Sequence, residues 1–445
     1  MSVEYLVNKS LIPDDGSPAI LDKWNKNIDY ENTSVLIYPD VHYKKGARVV
    51  NGMLICSNKY IYPACLGTEN CGFTFGKIAD GDYDSLLASF ENYSRKLKSY
   101  DSYHNYSASE IMEKFNYYMQ KDMIEKKDLY DFLGIKDFNA LKGHLKTIIT
   151  DEIIERARKT LGSLGGGNHF FEIHQIDEIY GKEEEFKKGD YLFALHSDSI
   201  QVGHYIDVLY SNLSEMGKWM GRNLFRKLYW KGKQFVIFGN KKLLFPEFKE
   251  IIKLTCSNNN LRTIDAHSPL GKDLILAHNV ASVFGEMNRC EIINNWSREN
   301  NIKIEHVFSH SHDSISVEKA NGIPHVIQRN GVQRIGQDKF CFLPSAMGNY
   351  SYILRNPYNA QAFFSTNHGT GRVQDKHIAK TIYTQDATLD EMKEKNIKIY
   401  LIGKGNLAEQ NYKAFKEPTQ IITEMENQGL ATRYAKTKPI AVIKG

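Results

Sequence analysis

Apolar and β-branched residues in this chain run in short blocks that close on polar, chemistry-bearing residues. Ser34-Val-Leu-Ile-Tyr-Pro-Asp-Val-His42 predicts a buried strand that ends at Pro39, with Asp40 and His42 just past its end. Tyr191-Leu-Phe-Ala-Leu-His196 and Val307-Phe-Ser-His310-Ser-His312-Asp313 repeat the theme of a strand closing on histidine. Alternation puts His310 and His312 on one face if the strand persists. Pro439-Ile-Ala-Val-Ile-Lys444 is a further strand that reaches a lysine. From about Ser85 to Lys159 the period changes. Apolar residues recur at helical spacing amid Lys, Glu and Tyr, as in Asp84-Ser-Leu-Leu-Ala-Ser-Phe-Glu and Ile153-Ile-Glu-Arg-Ala-Arg, which predicts several amphipathic helices. Asp273 to Trp296 predicts a long helix. Repeats, low-complexity tracts and Pro/Gly-rich linkers are absent from the sequence. The expectation is therefore an α+β fold forming one domain over residues 1–445. Its β structure is layered, with a helical covering segment at about 80–160.

Composition narrows the class without naming a partner. The 445 residues suffice for a large core, and length alone would permit two or three domains. A net charge of +4, spread thinly, permits nucleic-acid binding without demanding it. Six cysteines without paired spacing do not form a disulfide framework. Met1 to Pro13 lacks the pattern of a signal peptide, and no apolar run approaches the ~18 residues of a membrane-spanning helix. A reduced, cytoplasmic protein is expected.

Candidate chemistry concentrates in glycine-bearing segments. In Asn367-His-Gly-Thr-Gly-Arg372 a histidine offers a nucleophilic nitrogen. Gly369 and Gly371 let the backbone approach a phosphate, and Arg372 can clamp its oxygens. Read alone, such a His-Gly turn is more often structural. In Gly165-Gly-Gly-Asn-His-Phe-Phe-Glu172 three consecutive glycines add no buried side-chain area and suggest close backbone contact with a ligand. The spacing is neither a dinucleotide fingerprint nor a Walker loop. Glu69 and Cys71 in a Gly-flanked turn offer ligands for a borderline metal such as Zn²⁺ or Mn²⁺, although a lone cysteine also fills cores. Arg226-Lys-Leu-Tyr-Trp-Lys-Gly-Lys233 reads either as a base-stacking patch or as a solvated loop over a core aromatic.

In common order along the chain, Pro39-Asp-Val-His42, Gly165 to Glu172, Met347-Gly-Asn-Tyr-Ser-Tyr352, Asn367 to Arg372 and Ala441-Val-Ile-Lys-Gly445 resemble the RtcB-type RNA-splicing ligases. The resemblance runs from about Tyr38 to Gly445. It implies the RtcB-like fold and a GTP- and Mn²⁺-dependent ligase. Such a ligase joins RNA 3′-phosphate or 2′,3′-cyclic phosphate ends to 5′-hydroxyl ends in RNA repair or tRNA processing. It implies that His368 carries GMP as a phosphoramidate and that Arg372 assists. By the same resemblance Cys71 bridges two Mn²⁺ ions, with His169, His196 and His312 completing most of the coordination. The GMP contacts it implies are Asn168, His169, Phe170, Phe171 and Glu172, then His312 and Asp313, then Pro344, Ser345, Ala346, Met347 and Ser351. His368, Gly369, Thr370 and Gly371 belong to the same set, and Lys444 would read the guanine edge. An archease-type activating protein is an implied partner, and a membrane is not.

Departures from the family pattern bear on the phosphates and the second metal. Where the family has Asp-x-x-Cys, this chain has Thr68-Glu69-Asn70-Cys71, so the acidic ligand is either lost or replaced by Glu69. Where it has Gly-Ser-Arg-Gly after the histidine of the second strand, this chain has Asp198-Ser-Ile200-Gln201. A His-Asn pair has become His312-Asp313, and an Arg-Lys-Gly loop has become Arg329-Asn330-Gly331. Each change removes positive charge or adds negative charge. The alternative reading is therefore a non-catalytic or substrate-shifted RtcB paralogue that binds RNA or nucleotide. A third, resting on four residues, is that Lys319-Ala-Asn-Gly322 is similar to the motif of lysine nucleotidyltransferases.

Overall fold

A computed structural model of the chain describes residues 3–44, 47–66, 70–182, 185–210, 263–320, 322–403 and 405–445. The fold is α+β, as the blocks of apolar residues imply. One sheet has five strands in the order Val3–Tyr5, Thr33–Tyr43, Val50–Ser57, Ile323–Asn330 and Asp313–Ala320. A second has eight strands, and its path is Phe340–Leu343, Ser351–Arg355, Thr432–Lys444, Phe170–Ile179, Tyr191–Ser197, Gly72–Ile78 and Ile304–Ser311. Lys398–Leu401 adds to it in parallel beside Thr432–Lys444. The central strands of this sheet are buried along most of their length, which is why they read as continuous apolar runs. Phe73, Phe75, Phe340 and Phe342 pack together on one of its faces.

The two sheets meet at the site. Ile304–Ser311 belongs to the eight-stranded sheet and Asp313–Ala320 to the five-stranded one, so His312 is the residue at which the chain crosses between them. The strand does not persist through His310 and His312, and the two histidines separate. His310 Nε2 faces Asp338 Oδ2 at 2.9 Å, while His312 turns to the site.

Five helices lie between Tyr83 and Thr160. Asp82 with Ser85 and Ser107 with Glu110 form capping boxes that satisfy the first amides. Ile111, Phe115 and Met119 fall on one face of Ala108–Glu125 and pack on Val280, Phe284 and Met287 of the long helix Pro269–Asn300. That helix begins with Ser268 as cap and Pro269 in the first turn. It is buried nearly all round, so it carries no strong amphipathic stripe. Among the described residues no helix is long and apolar enough to cross a membrane.

The first strand departs from expectation. It runs through Pro39 to Tyr43 instead of ending there. Its ladder with Val50–Ser57 is broken between Ile37, paired with Met53, and His42, paired with Asn51. In this bulge Pro39 has no ladder amide to supply, which is what allows it mid-strand. Lys416 Nζ donates to the freed carbonyls of Pro39 and Val41 at 2.9 and 2.7 Å. Gly52 has φ +77, and a Cβ there would stand 2.7 Å from Asp40 Oδ1.

Candidate active site

The bulge presents Asp40 to the histidine loop. Asp40 is fully buried, and its Oδ2 accepts from His368 Nδ1 at 2.6 Å and from the His368 backbone amide at 3.1 Å. Gly371 has φ +76 and passes so near that a Cβ would stand 2.4 Å from the Asp40 carbonyl. With Nδ1 committed to a carboxylate, Nε2 is the imidazole nitrogen left for chemistry. Burial pulls the His368 pKa down. The charge and hydrogen bond of Asp40, the charge of Asp313 and the Gly331 backbone outweigh it and hold the pKa above the ordinary histidine value. His42, stacked beside His368, is pushed down to about 3 by burial and stays neutral.

This geometry predicts a titration. His368 should lose its proton above the ordinary histidine midpoint, and Asp40→Asn should lower that midpoint, because the imidazolium then loses its counter-charge. NMR of the histidine ring signals in metal-free protein reads both values. An unchanged midpoint in Asp40→Asn would contradict the pairing.

Cys71, His169, His196 and His312 gather at one end of the central strands of the eight-stranded sheet. His196 lies opposite Phe73 and Phe170, and Cys71 and His169 immediately precede the Gly72–Ile78 and Phe170–Ile179 strands. The Cys71 carbonyl accepts the amides of His312 and Asp313 at 3.0 and 3.3 Å, fixing the sheet crossing against it. Two sets of ligand atoms, Cys71 with His196 and His312, and Cys71 with His169 and Asp198, each lie within 4.8 Å of one another. His196 Nε2 and His312 Nδ1 are buried without a hydrogen-bond partner among the described residues. Burial and the neighbouring imidazoles push both pKa values well down, so both rings are neutral and carry a lone pair. A thiolate, imidazoles and a carboxylate fit a divalent ion such as Mn²⁺ or Zn²⁺.

A cavity of about 1000 Å³ opens over these groups. Cys71, His169, His196 and His312 line it, with His368 beside them. Asn168, Phe170 and Glu172 form one wall, the Pro344-Ser-Ala-Met347 loop another, and Gly369, Thr370, Gly371, Arg372 and Lys444 face it too. Arg372 stacks on Phe415, its guanidinium 4.3 Å from the ring centroid, and its Nη2 donates to Gln410 at 3.3 Å. Its Nη1 is buried without a partner among the described residues, and burial pulls its pKa down to about 10. An anion in the cavity would satisfy that donor. Lys444 Nζ donates to the His169 carbonyl at 2.9 Å, and burial, opposed by Glu172, lowers its pKa to about 7. Glu172 itself faces His174 Nε2 at 2.8 Å.

Two expected nucleotide contacts lie elsewhere. Phe171 points to the opposite face from Phe170, into the core against Phe90 and Trp296, as alternation along a strand requires. Ser351 is buried behind the loop, where its Oγ accepts the Ser345 amide at 3.0 Å and so shapes the wall. The glycine run divides between packing and the cavity. Gly165 serves packing, since a Cβ there would collide with the His169 ring at 2.2 Å, whereas Gly166 and Gly167 do line the cavity. Lys319 pairs with Asp128 at 2.8 Å on the surface, away from the cavity. Glu69 and the Arg226 to Lys233 stretch lie outside the described residues.

Three contributors beyond the sequence motifs hold the site. Asn288 on the long helix takes the amide of Gly162 and donates to Ser163 and Ser197. The buried Arg289 guanidinium donates to Thr74 Oγ1 and to the Ser197 carbonyl, and lies against Gly72, next to Cys71. Lys416 pins the bulge that carries Asp40.

Comparison with known proteins agrees with the resemblance. The profile of a family described as "tRNA-splicing ligase RtcB" matches residues 27–445. The chain is 26% identical over 353 residues to the tRNA-splicing ligase RtcB of Methanococcus maripaludis, covering 71% of this chain and 66% of that protein. It is 23% identical over 345 residues to the RNA-splicing ligase RtcB of Mycobacterium tuberculosis, covering 71% and 72%. Against the tRNA-splicing ligase RtcB of Pyrococcus furiosus the identity is 24% over 355 residues, covering 71% of this chain but 33% of that protein.

Proposed function

The chain belongs to the RtcB family, and from that premise we propose that it is an RNA ligase acting through a histidine–GMP intermediate, dependent on GTP and Mn²⁺. The observation that carries the reading is the His368–Asp40 pair set beside the Cys71, His196 and His312 cluster in one cavity. Asp40 holds the proton on Nδ1, so Nε2 presents its lone pair to the α-phosphorus of GTP. The P–N bond forms as the bond from the α-phosphorus to the bridging oxygen breaks and pyrophosphate departs. Arg372 neutralises charge on the phosphate. An RNA 3′-phosphate oxygen then attacks the same phosphorus, the P–N bond breaks and an RNA-pp-G end forms. A 2′,3′-cyclic phosphate is first opened by water. The 5′-hydroxyl attacks the RNA 3′-phosphorus, GMP leaves and the strands are joined. Metal held by Cys71, His196 and His312 would supply Lewis-acid polarisation of phosphate oxygens. The reading places the protein in the cytoplasm, with RNA ends as substrates and an archease-type protein as a partner.

The test is incubation with α-labelled GTP and Mn²⁺ followed by a denaturing gel. A band that survives alkali and is lost in acid supports the phosphoramidate. Its absence, with RNA still bound, supports the non-catalytic paralogue, which the acidic Asp313 in the cavity favours. Lys444 gives a further prediction. Its ammonium would donate to guanine O6 but meet a donor amine on adenine, so Lys444→Met should reduce the GTP-over-ATP labelling ratio. The expected drop is about tenfold, since one base-edge contact contributes roughly 1–3 kcal/mol. Competition labelling with both nucleotides measures the ratio, and an unchanged one would remove Lys444 from base recognition.

A further inference from the structure

We propose that Asp198, in the turn after the Tyr191–Ser197 strand, supplies the carboxylate of the second metal ion that the family resemblance implies at Cys71 and His169. The inference deepens the ligase reading and rests on it for the metal's purpose, but not for its ligands. Cys71 Sγ is 3.5 Å from His169 Nε2, and His169 Nε2 is 3.8 Å from Asp198 Oδ2. All three residues are buried, and their ligand atoms lie within 4.8 Å of one another. These separations suit groups converging on a common ion roughly 2.0–2.3 Å from each.

The turn fixes the carboxylate. Asp198 Oδ1 accepts the Ile200 amide at 2.8 Å, which commits that oxygen and presents Oδ2 to His169. The Asp198 carbonyl is held by Asn288 Nδ2 at 3.3 Å. Metal ligands are commonly oriented by such hydrogen bonds. The chemistry of the set also differs from that of its neighbour. Cys71, His196 and His312 offer one sulfur and two nitrogens, whereas Cys71, His169 and Asp198 add a hard, anionic oxygen, the donor that suits Mn²⁺. Cys71 is common to both sets, so one thiolate would bridge the ions. On this reading the negative charge gained at Asp198 serves the metal, and it does not stand as a barrier to phosphate.

Metal counting tests this with Mn²⁺ alone, without GTP or RNA. Wild-type protein, loaded with Mn²⁺ and desalted, should carry two ions per chain by mass spectrometry of the metal. Asp198→Asn, which keeps the shape of the turn, and Asp198→Ala should each carry one. The weaker ion's affinity should fall at least about 100-fold, because losing even a residue that merely supports a ligand costs 10–100-fold. Thermal melts of the metal-free variants check that they fold. Glu69→Gln should still carry two ions. The proposal is overturned if wild type carries one, if both Asp198 variants carry two with unchanged affinity, or if Glu69→Gln is the variant that loses an ion. Two ions without guanylate labelling would sink the ligase reading and leave this site standing. Labelling with a single ion would do the reverse.

Discussion

Replacing His368 with alanine is expected to abolish covalent labelling by GTP, a loss on the order of 10⁶-fold where a nucleophile is removed outright. The two histidine rings in contact with His368 are poorly placed to take over the step. His42 is stacked beside His368, but its Nδ1 faces the Asp40 carbonyl at 2.8 Å and its Nε2 faces Asn51 at 3.0 Å. His312 lies in the group with Cys71 and His196 that could hold a metal ion. The substitution is not silent for stability. Asp40 is fully buried, and after His368→Ala it would keep only the backbone donor of that position. Leaving a buried carboxylate short of a partner costs about 1–3 kcal/mol. A double variant, His368→Ala with Asp40→Asn, separates the effects. It should recover part of the melting temperature while labelling stays absent. Recovery of label in the double variant, or labelling by His368→Ala alone, would remove His368 from the nucleophile's role.

The residues legible in the sequence were those whose signal is local. His196 and His312 each close an apolar run, and strand periodicity delivers both to one end of the sheets. Cys71 opens the next strand and meets them there. Phe171 was misplaced although the signal existed, since consecutive residues of a strand must face opposite ways. Asp40 was placed beyond a strand end for want of the bulge, and a bulge is set by the partner strand, through Gly52 in this case. Lys416 and Arg289 left no local trace. Lys416 reaches carbonyls 377 and 375 positions away, and Arg289 reaches Thr74 across 215. Such groups look like ordinary surface charge or helix filler until the fold closes over them. Asp198 shows in the sequence only as added negative charge, because sequence offers no distance between it and His169, which is 3.8 Å away in the fold.

The second large effect is expected at Cys71. Its sulfur is common to both ligand sets, so Cys71→Ala should remove both ions, whereas loss of His196 or Asp198 should remove one. Cys71 is 2% exposed and small, and its deletion leaves the backbone contacts of the sheet crossing in place. The metal-free variant should therefore melt within a few degrees of the metal-free wild type. The difference appears on adding Mn²⁺. A ligand that binds the folded state alone stabilises it by about 2.7 kcal/mol at a hundred times its dissociation constant. Wild type should gain that increment, and Cys71→Ala should gain none. Labelling should fall with the metal, by at least about 10²-fold, because charge developing on the α-phosphate loses its strongest stabiliser and Arg372 remains alone against it. Melts with and without Mn²⁺, run beside the labelling gel, read both outcomes. A Cys71→Ala protein that still gains stability from Mn²⁺ would show that the histidines and Asp198 hold metal without a bridging thiolate. A protein that loses metal but keeps its label would place the phosphate chemistry on His368, Asp40 and Arg372 alone.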